Sequence, residues 1–178
     1  NTTGDDNVAV GDNSLNANTT ASNNTAVGKS ALAANTTGSN NVAVGSLALD
    51  ASTTASNCTA IGRSALGANT TGISNTAIGK SCLDACTTGE NHVAIGVSAL
   101  TDLSDQHRCT AIGVLAGENA VGEQNTFVGF EAGQGATSGC NGTDNVAVGK
   151  DAMLVFTSGS HNTVVGREAG SNLNIGSN

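Results

Sequence analysis

Short apolar runs alternate with short polar runs along the chain, and the alternation has a fixed period. Each apolar run reads Asn, Thr or Val, Ala, Val or Ile, and then Gly, as in Asn41 to Gly45 and Asn75 to Gly79. The closing glycines are separated by six intervals of 17 residues and then by intervals of 16, 20 and 17. They are Gly11, Gly28, Gly45, Gly62, Gly79, Gly96, Gly113, Gly129, Gly149 and Gly166. Such a period indicates tandem units that stack on one another.

The rest of each repeat also aligns from copy to copy. Ala and a larger apolar residue follow the glycine, as in Ala31-Leu32, and a polar turn such as 35–38, Asn-Thr-Thr-Gly, comes next. Apolar runs this short suit strands and cannot make a stable helix. One repeat therefore predicts a coil of two short strands and two turns. The whole chain predicts an all-β protein, a parallel β-solenoid of about ten 17-residue coils, with a rod length of roughly 45–50 Å.

We interpret residues 1–178 as one solenoid domain, with regular coils over about 7–129 and irregular coils over about 130–178. The glycines are expected at coil corners, where φ is positive or a neighbouring backbone comes close. A ladder of side-chain amides is expected just before equivalent strands. Its members are Asn24, Asn41, Asn75, Asn125, Asn145 and Asn162, and it is interrupted by Cys58, His92 and Cys109.

Both faces of the predicted strands are apolar, and this predicts association between chains. In the strand at 41–45 the two valines share one face and Ala43 takes the other. A strand that is apolar on both sides is normally covered on both sides. We expect Ala to fill a narrow coil interior while Val, Ile and Leu meet neighbouring chains, or the reverse.

The motifs at Asn41 to Gly45 and Asn75 to Gly79 resemble the head repeats of YadA-like trimeric autotransporter adhesins, and similar strings occur in bacteriophage tail-fibre shafts. The resemblance extends from about Asn7 to Gly170. It implies a left-handed parallel β-roll, three chains wrapped side by side, and a trimer with an adhesive surface.

Composition excludes several other classes of protein. The formal net charge is −8, and the six basic residues occur at most once per coil, so nucleic acid is not an expected partner. Insertion of this segment into a membrane and a signal peptide at its start are not expected either, because no apolar run is long enough. Aromatic residues make up only 2% of the chain, so the core must come from Ala, Val, Ile and Leu in thin layers.

The ionisable residues do not form a catalytic or metal-binding motif in sequence. Glu118, Glu123, Glu131 and Glu168 show no repeated pairing, and His92, His107 and His161 lack zinc-site spacing. No enzyme activity, cofactor or metal site is therefore predicted. The cysteines are Cys58, Cys82, Cys86, Cys109 and Cys140, and they are read either as small buried residues or as bridges between chains.

Two repeated polar features suggest surface functions. The sequons at Asn18, Asn35 and Asn69 align on one turn, which predicts a row of glycans, although repetition of an Asn- and Thr-rich unit also produces such strings. Paired threonines such as Thr19-Thr20 suggest an ice-binding surface. Adjacent residues face apart, however, so this is a minor hypothesis.

Three functions follow from these patterns. The first is an extracellular adhesive fibre segment, at a cell surface or on a virion, that binds a host surface protein or glycan by multivalent display. The second is a structural extracellular filament without specific adhesion, and the third is an ice-binding solenoid. Self-association is expected as a homotrimer, as an end-to-end filament, or as both. The resemblance and the two apolar strand faces favour the trimer, and the partial, uncapped last motif at 174–176 favours the filament.

Overall fold

The computed structural model describes residues 2–136 and 139–173 and confirms the predicted fold class, a parallel β-solenoid of about ten turns. The partial motif at 174–176 lies outside the described residues, and so does Asn1, which begins a further Asn-Thr-Thr sequon. The strands are β1 Val8–Val10, β2 Thr25–Val27, β3 Val42–Val44, β4 Thr59–Ile61, β5 Thr76–Ile78, β6 Val93–Ile95, β7 Thr110–Ile112, β8 Thr126–Val128, β9 Val146–Val148, β10 Val155–Phe156, β11 Thr163–Val165 and β12 Asn172–Leu173.

Ten of these strands form one parallel sheet in the order β1 to β9 and then β11. Each strand pairs with its equivalent in the next repeat, as Ala26 does with Ala43. We number the positions of a coil from the residue before the strand, so position 1 of the second coil is Asn24 and position 5 is Gly28. Coils 1 to 9 are 7–23, 24–40, 41–57, 58–74, 75–91, 92–108, 109–124, 125–144 and 145–161, and coil 10 begins at 162.

The predicted second strand is wrong for nearly all coils. The Ala-Leu segment forms turns instead, because Ser30 and Leu32 have φ of +56° and +50° and their backbone is not extended. The N–H groups of this segment donate in turn to the coil before and the coil after. The Ser30 N–H donates to the Asp12 carbonyl of the preceding coil, and the Leu32 N–H donates to the Ala48 carbonyl of the following coil. The second side of the coil is therefore bonded to both neighbours without a β-ladder. In the described chain this side has one strand pair, β10 with β12, and one isolated parallel bridge, between Ala120 and Cys140.

Alanine and leucine together fill the interior. Ala26, Ala31 and Leu32 are completely buried, whereas Val27 on the strand is only partly buried and faces outward. The expectation that Leu would meet neighbouring chains is therefore wrong. Because the left-handed turn at Leu32 directs its side chain inward, Leu joins Ala in the core rather than Val and Ile on the outer face.

Positions 3 and 9 face each other inside the coil, and a large residue at one of them is matched by a small residue at the other. Where position 3 is Ala, position 9 is Leu in coils 1 to 6. Where position 3 is Phe127, the nearby position-9 residues are Gly117 and Gly133, and a Cβ on Gly133 would lie 2.2 Å from Cδ1 of Phe127. Phe127 also packs against Phe156, with ring centroids 5.9 Å apart. The aromatic ring thus occupies the space that leucines fill elsewhere.

The ten repeat glycines lie at position 5, the corner after the strand, and all have positive φ. At Gly62 φ is +134°, and a Cβ would lie 2.5 Å from the carbonyl oxygen of Gly79 in the next coil. Both the backbone conformation and the close stacking of the coils therefore require glycine here.

We expect Gly62→Ala to lower the free energy of unfolding by about 3 kcal/mol, because it adds backbone strain and a clash with the next coil. Gly139→Ala is the matched control, since Gly139 has φ of +94° but no atom within 4 Å of its Cβ direction. Urea denaturation should show a clearly smaller loss for the control. Equal losses would mean that coil stacking at the corner is not the constraint.

The exchange between Phe127 and Gly133 predicts strong coupling. Phe127→Ala should cost about 3–5 kcal/mol by leaving a cavity, and Gly133→Leu should be destabilising through overpacking. The double variant recreates the Ala and Leu pair of the regular coils, so it should recover much of the lost stability in thermal denaturation. Additive losses would contradict the volume exchange.

Candidate interaction faces of the rod

The outward side of the main sheet, which we call the strand face, consists of positions 2 and 4 of the ten coils. All twenty residues are Val, Ile or Thr: Val8, Val10, Thr25, Val27, Val42, Val44, Thr59, Ile61, Thr76, Ile78, Val93, Ile95, Thr110, Ile112, Thr126, Val128, Val146, Val148, Thr163 and Val165. Ile61 and Ile112 are 38% and 40% exposed. β-Branched side chains are stiff at χ1, so the face is a rigid, uncharged array of methyl and hydroxyl groups.

A row of cations follows one edge of the strand face. Five of the six basic residues occupy position 6, next to the corner glycine: Lys29, Arg63, Lys80, Lys150 and Arg167. In the sequence these residues look scattered, at most one to a coil, and their alignment becomes visible only when the 17-residue period is applied to them. The strand face is therefore bordered by positive charge in coils 2, 4, 5, 9 and 10, whereas position 6 is Asp12 in coil 1 and Ser46 in coil 3.

Three apolar residues interrupt this row in consecutive coils. Val97, Val114 and Phe130 are 42%, 40% and 43% exposed at position 6 of coils 6 to 8. The Lys150 ammonium lies 5.6 Å from the centroid of the Phe130 ring. These residues widen the apolar surface of the strand face at its corner.

Carboxylates occupy the next side of the coil. An open groove of about 440 Å³ is lined by Asp50, Gly67, Asp84 and Asp102 among others. Gly67 leaves room between two of the carboxylates, since a Cβ there would lie 2.7 Å from Oδ1 of Asp84 and 3.6 Å from Oδ1 of Asp50. Burial raises the pKa of all three aspartates. The charge of Asp84 further raises the pKa of Asp50, and Arg63 opposes the rise in the pKa of Asp84.

The Thr-Thr turn presents one hydroxyl per coil to solvent. The first threonine of each pair uses its hydroxyl within the rod, as Thr36 does by donating to the Thr53 carbonyl at 3.0 Å. The second is exposed, and we call this column the turn face: Thr20, Thr37, Thr54, Thr71 and Thr88. The hydroxyls follow one another at the coil spacing of about 4.8 Å. This arrangement provides one exposed hydroxyl per coil, not the paired array of the ice-binding hypothesis.

The side chains at position 1 form a hydrogen-bonded ladder inside the coil. Oδ1 of Asn24 accepts from the Asn41 N–H at 2.9 Å, and Nδ2 of Asn24 donates to the Gly38 carbonyl at 2.9 Å. Asn41, Asn75, Asn125 and Asn145 repeat both bonds, and Asn162 closes the series by donating to Oδ1 of Asn145. Asn7 is a further member that the sequence analysis missed.

His92, Cys58 and Cys109 replace Asn at position 1, and their side chains also make hydrogen bonds within the ladder. Nδ1 of His92 accepts from the Cys109 N–H at 3.2 Å, and Nε2 lies 2.8 Å from the Gln106 carbonyl. The ring therefore acts as the neutral tautomer with its proton on Nε2, and it reproduces the two bonds of Asn. The thiols of Cys58 and Cys109 donate to Gly72 and Gly122 at 3.4 and 3.3 Å.

The predicted glycan row lies on the inner side of the rod. Asn18, Asn35 and Asn69 are buried at position 12, and their amides donate to the carbonyls of Ala21, Gly38 and Gly72. A glycan on these asparagines would not fit inside the folded coil, so the expectation of a sugar row at these positions is wrong for the folded rod. The exposed sequon asparagines are instead Asn23, Asn57 and Asn141. The Asn-Thr-Thr-Gly motif looks like a surface turn in sequence because it is polar, although its first residue points inward.

All five cysteines are buried and free of disulfide bonds. Burial raises the pKa of Cys58, that of Cys82 and Cys86 to about 12, and that of Cys109 to about 11. These four are therefore neutral thiols at physiological pH. Because all five cysteines are buried, none can reach another chain unless the coil opens locally. This agrees with the interpretation as small buried residues and argues against bridges between chains.

The remaining ionisable residues are dispersed. Glu118 accepts from Gln134, Glu123 and Glu168 lie near Arg108 and Arg167, and Glu131 is at an exterior corner. His107 accepts from the Glu90 N–H, and His161 lies 3.8 Å from Asp144.

Among the described residues, no group of three or more His, Cys, Asp or Glu could hold a metal ion. No helix in the described part of the chain is long and apolar enough to cross a membrane.

No protein-family model matches the chain, and comparisons with curated proteins and with solved structures return no match. The candidate sites therefore rest on the geometry of this chain alone.

The buried column at position 12 contains a defect that predicts a stabilising substitution. Ser52 is too short to continue the column, and its Oγ and Oδ1 of Asn35 are both buried without a hydrogen-bond partner. Asn at 52 could donate to Asn35 and to the Ala55 carbonyl, as Asn35 does to Asn18 and Gly38. We expect Ser52→Asn to stabilise the protein by about 1–2 kcal/mol in urea denaturation. Ser52→Ala is the control, and a Ser52→Asn variant no more stable than wild type would contradict this account.

Proposed function

We propose that this chain is a segment of an extracellular fibre that assembles side by side with other copies through the strand face and acts by multivalent display of its turn face. The observation that carries the proposal is the composition of the strand face, in which all twenty outward residues are Val, Ile or Thr. A sheet face on this scale that carries no charge is normally covered.

The regularity of the face favours a second copy of the chain as the covering partner. Two such faces have the same spacing along the rod, about 4.8 Å, so their stiff side chains can interdigitate as in a dry steric zipper. The face is about 43 Å long and about 10 Å wide, from nine strand spacings and three residues. A long, narrow stripe suits parallel rods better than a compact globular partner. A homotrimer is the closed assembly that the resemblance implies.

The turn face supports the display part of the proposal. Its exposed threonines occupy position 14 in five consecutive coils. The strand face consists of positions 2 and 4, so the two faces come from different parts of each coil. A weak contact to one hydroxyl, for example from a glycan or a host surface protein, would be multiplied along the rod and across the copies. The described residues contain no group of three or more His, Cys, Asp or Glu that could hold a metal, and the groove beside Asp84 is open.

Assembly can be tested by analytical ultracentrifugation of the wild type and two matched double variants. We expect the wild type to sediment as an oligomer and Ile61→Lys/Ile112→Lys to sediment as a monomer, because each lysine would place a charge in the dry interface. Thr54→Lys/Thr88→Lys adds the same charge on the turn face and should stay oligomeric. Circular dichroism must show that all three proteins are folded. A monomeric wild type at tens of micromolar would refute the proposal.

Display can be tested separately with the same proteins on a glycan array. The assembled wild type should be retained more strongly than the monomeric strand-face variant by roughly 100-fold or more, which is the gain expected from avidity. Equal retention of the two proteins would contradict multivalent display while leaving assembly untouched.

A further inference from the structure

The junction between coils 6 and 7 differs from earlier junctions on its turn side. In coil 2 the N–H groups of Thr36 and Thr37 both donate to the Thr53 carbonyl of the next coil, at 2.9 and 3.3 Å. In coil 6 the equivalent N–H groups, those of Ser104 and Asp105, donate to Oε1 of Gln106 at 3.0 and 3.2 Å. In coil 6 these two N–H groups thus bond to a side chain of their own coil and not to a carbonyl of the next coil.

His92 spans this junction from inside the rod. Its Nε2 is bonded to the Gln106 carbonyl of its own coil, and its Nδ1 accepts from the Cys109 N–H of coil 7. The second bond requires a free lone pair on Nδ1, because the partner is a donor. At the other ladder positions the acceptor is an amide oxygen or a thiol, neither of which takes up a proton in mild acid.

We propose that His92 is an acid-sensitive joint in the solenoid. When Nδ1 takes up a proton from solvent, it becomes a donor, the bond from the Cys109 N–H is lost, and coil 7 separates locally from the turn side of coil 6.

The surroundings of the ring oppose the charged form. His92 is completely buried, and desolvation lowers its pKa to about 4. The bond to Gln106 works against this shift and the charge of His107 adds to it. Cys86 packs nearby, since a Cβ on Gly89 would lie 2.7 Å from Nε2 of His92 and 3.2 Å from Sγ of Cys86. Cys86 and Cys109 stay neutral, so they offer no negative charge to a protonated ring.

The direction of the pH effect follows from this shift. The ring has a lower pKa in the folded chain than its ordinary value of 6.5, so the unfolded or locally opened state binds the proton more readily. The stability that the neutral ring contributes is fully present above pH 6.5 and is lost progressively as the pH falls toward 4.

Hydrogen exchange on the full chain between pH 7 and pH 4 tests the joint. His92→Asn is the matched variant, because Asn occupies this position in seven of the ten coils. Between pH 6.5 and 4 the protection factor of the Cys109 amide should fall roughly 80-fold more in the wild type than in the variant. The Asn41 amide, in the same ladder but far along the rod, should behave alike in both proteins. His107 is present in both, so its effect cancels.

The same pH dependence at Cys109 in the two proteins would overturn the proposal. Titration of the His92 ring by NMR in the wild type provides a test without any substitution. A ring that titrates at pH 6.5 or above in the folded chain would overturn it as well.

Discussion

The stacking of the coils depends on hydrogen bonds made by one interior side chain per coil, and in seven of the ten coils that side chain makes the same pair of bonds. The carbonyl at position 15, such as that of Gly38, and the position-1 N–H of the next coil, such as that of Asn41, are both buried and both bond to the side chain of Asn24. Buried backbone groups without partners are costly. A residue at position 1 must therefore offer a donor and an acceptor on a short side chain, and Asn does so with least adjustment.

The coils must stay close enough to form that pair of hydrogen bonds, and this requirement also explains the corner glycines and the composition of the core. Glycine is required at the corner because the next coil's carbonyl lies where a Cβ would be. The core pairs alanine with leucine in coils 1 to 6 and an aromatic ring with glycine in coil 8, because the space inside the coil is limited. Each coil bonds to both neighbours, so the stability of the rod is a sum of unit and interface terms.

Sequence periodicity was sufficient to predict what repeats in every coil, and insufficient where a residue's direction depends on a backbone turn. The solenoid, the corner position of Gly62 and the amide ladder through Asn24 all follow from alignment of the repeats. Alternation of side chains along a strand could not place Leu32, because its left-handed φ turns it inward. The same local geometry buries Asn35 within a motif that reads as a surface turn. The basic row beginning at Lys29 was within reach of the sequence, because only its position in the repeat had to be compared.

The unequal coil lengths show how this architecture accommodates variation in evolution. Coil 7 is one residue shorter and coil 8 three residues longer than the common unit, yet Thr110 pairs with Thr126 and Thr126 with Val146 in unbroken register. The changes in length are absorbed on the side opposite the sheet, where coil-to-coil bonding does not require a continuous ladder. Mutation can therefore add or remove residues there without altering the strands, and a lineage could diversify one side of the rod while the other keeps a constant shape.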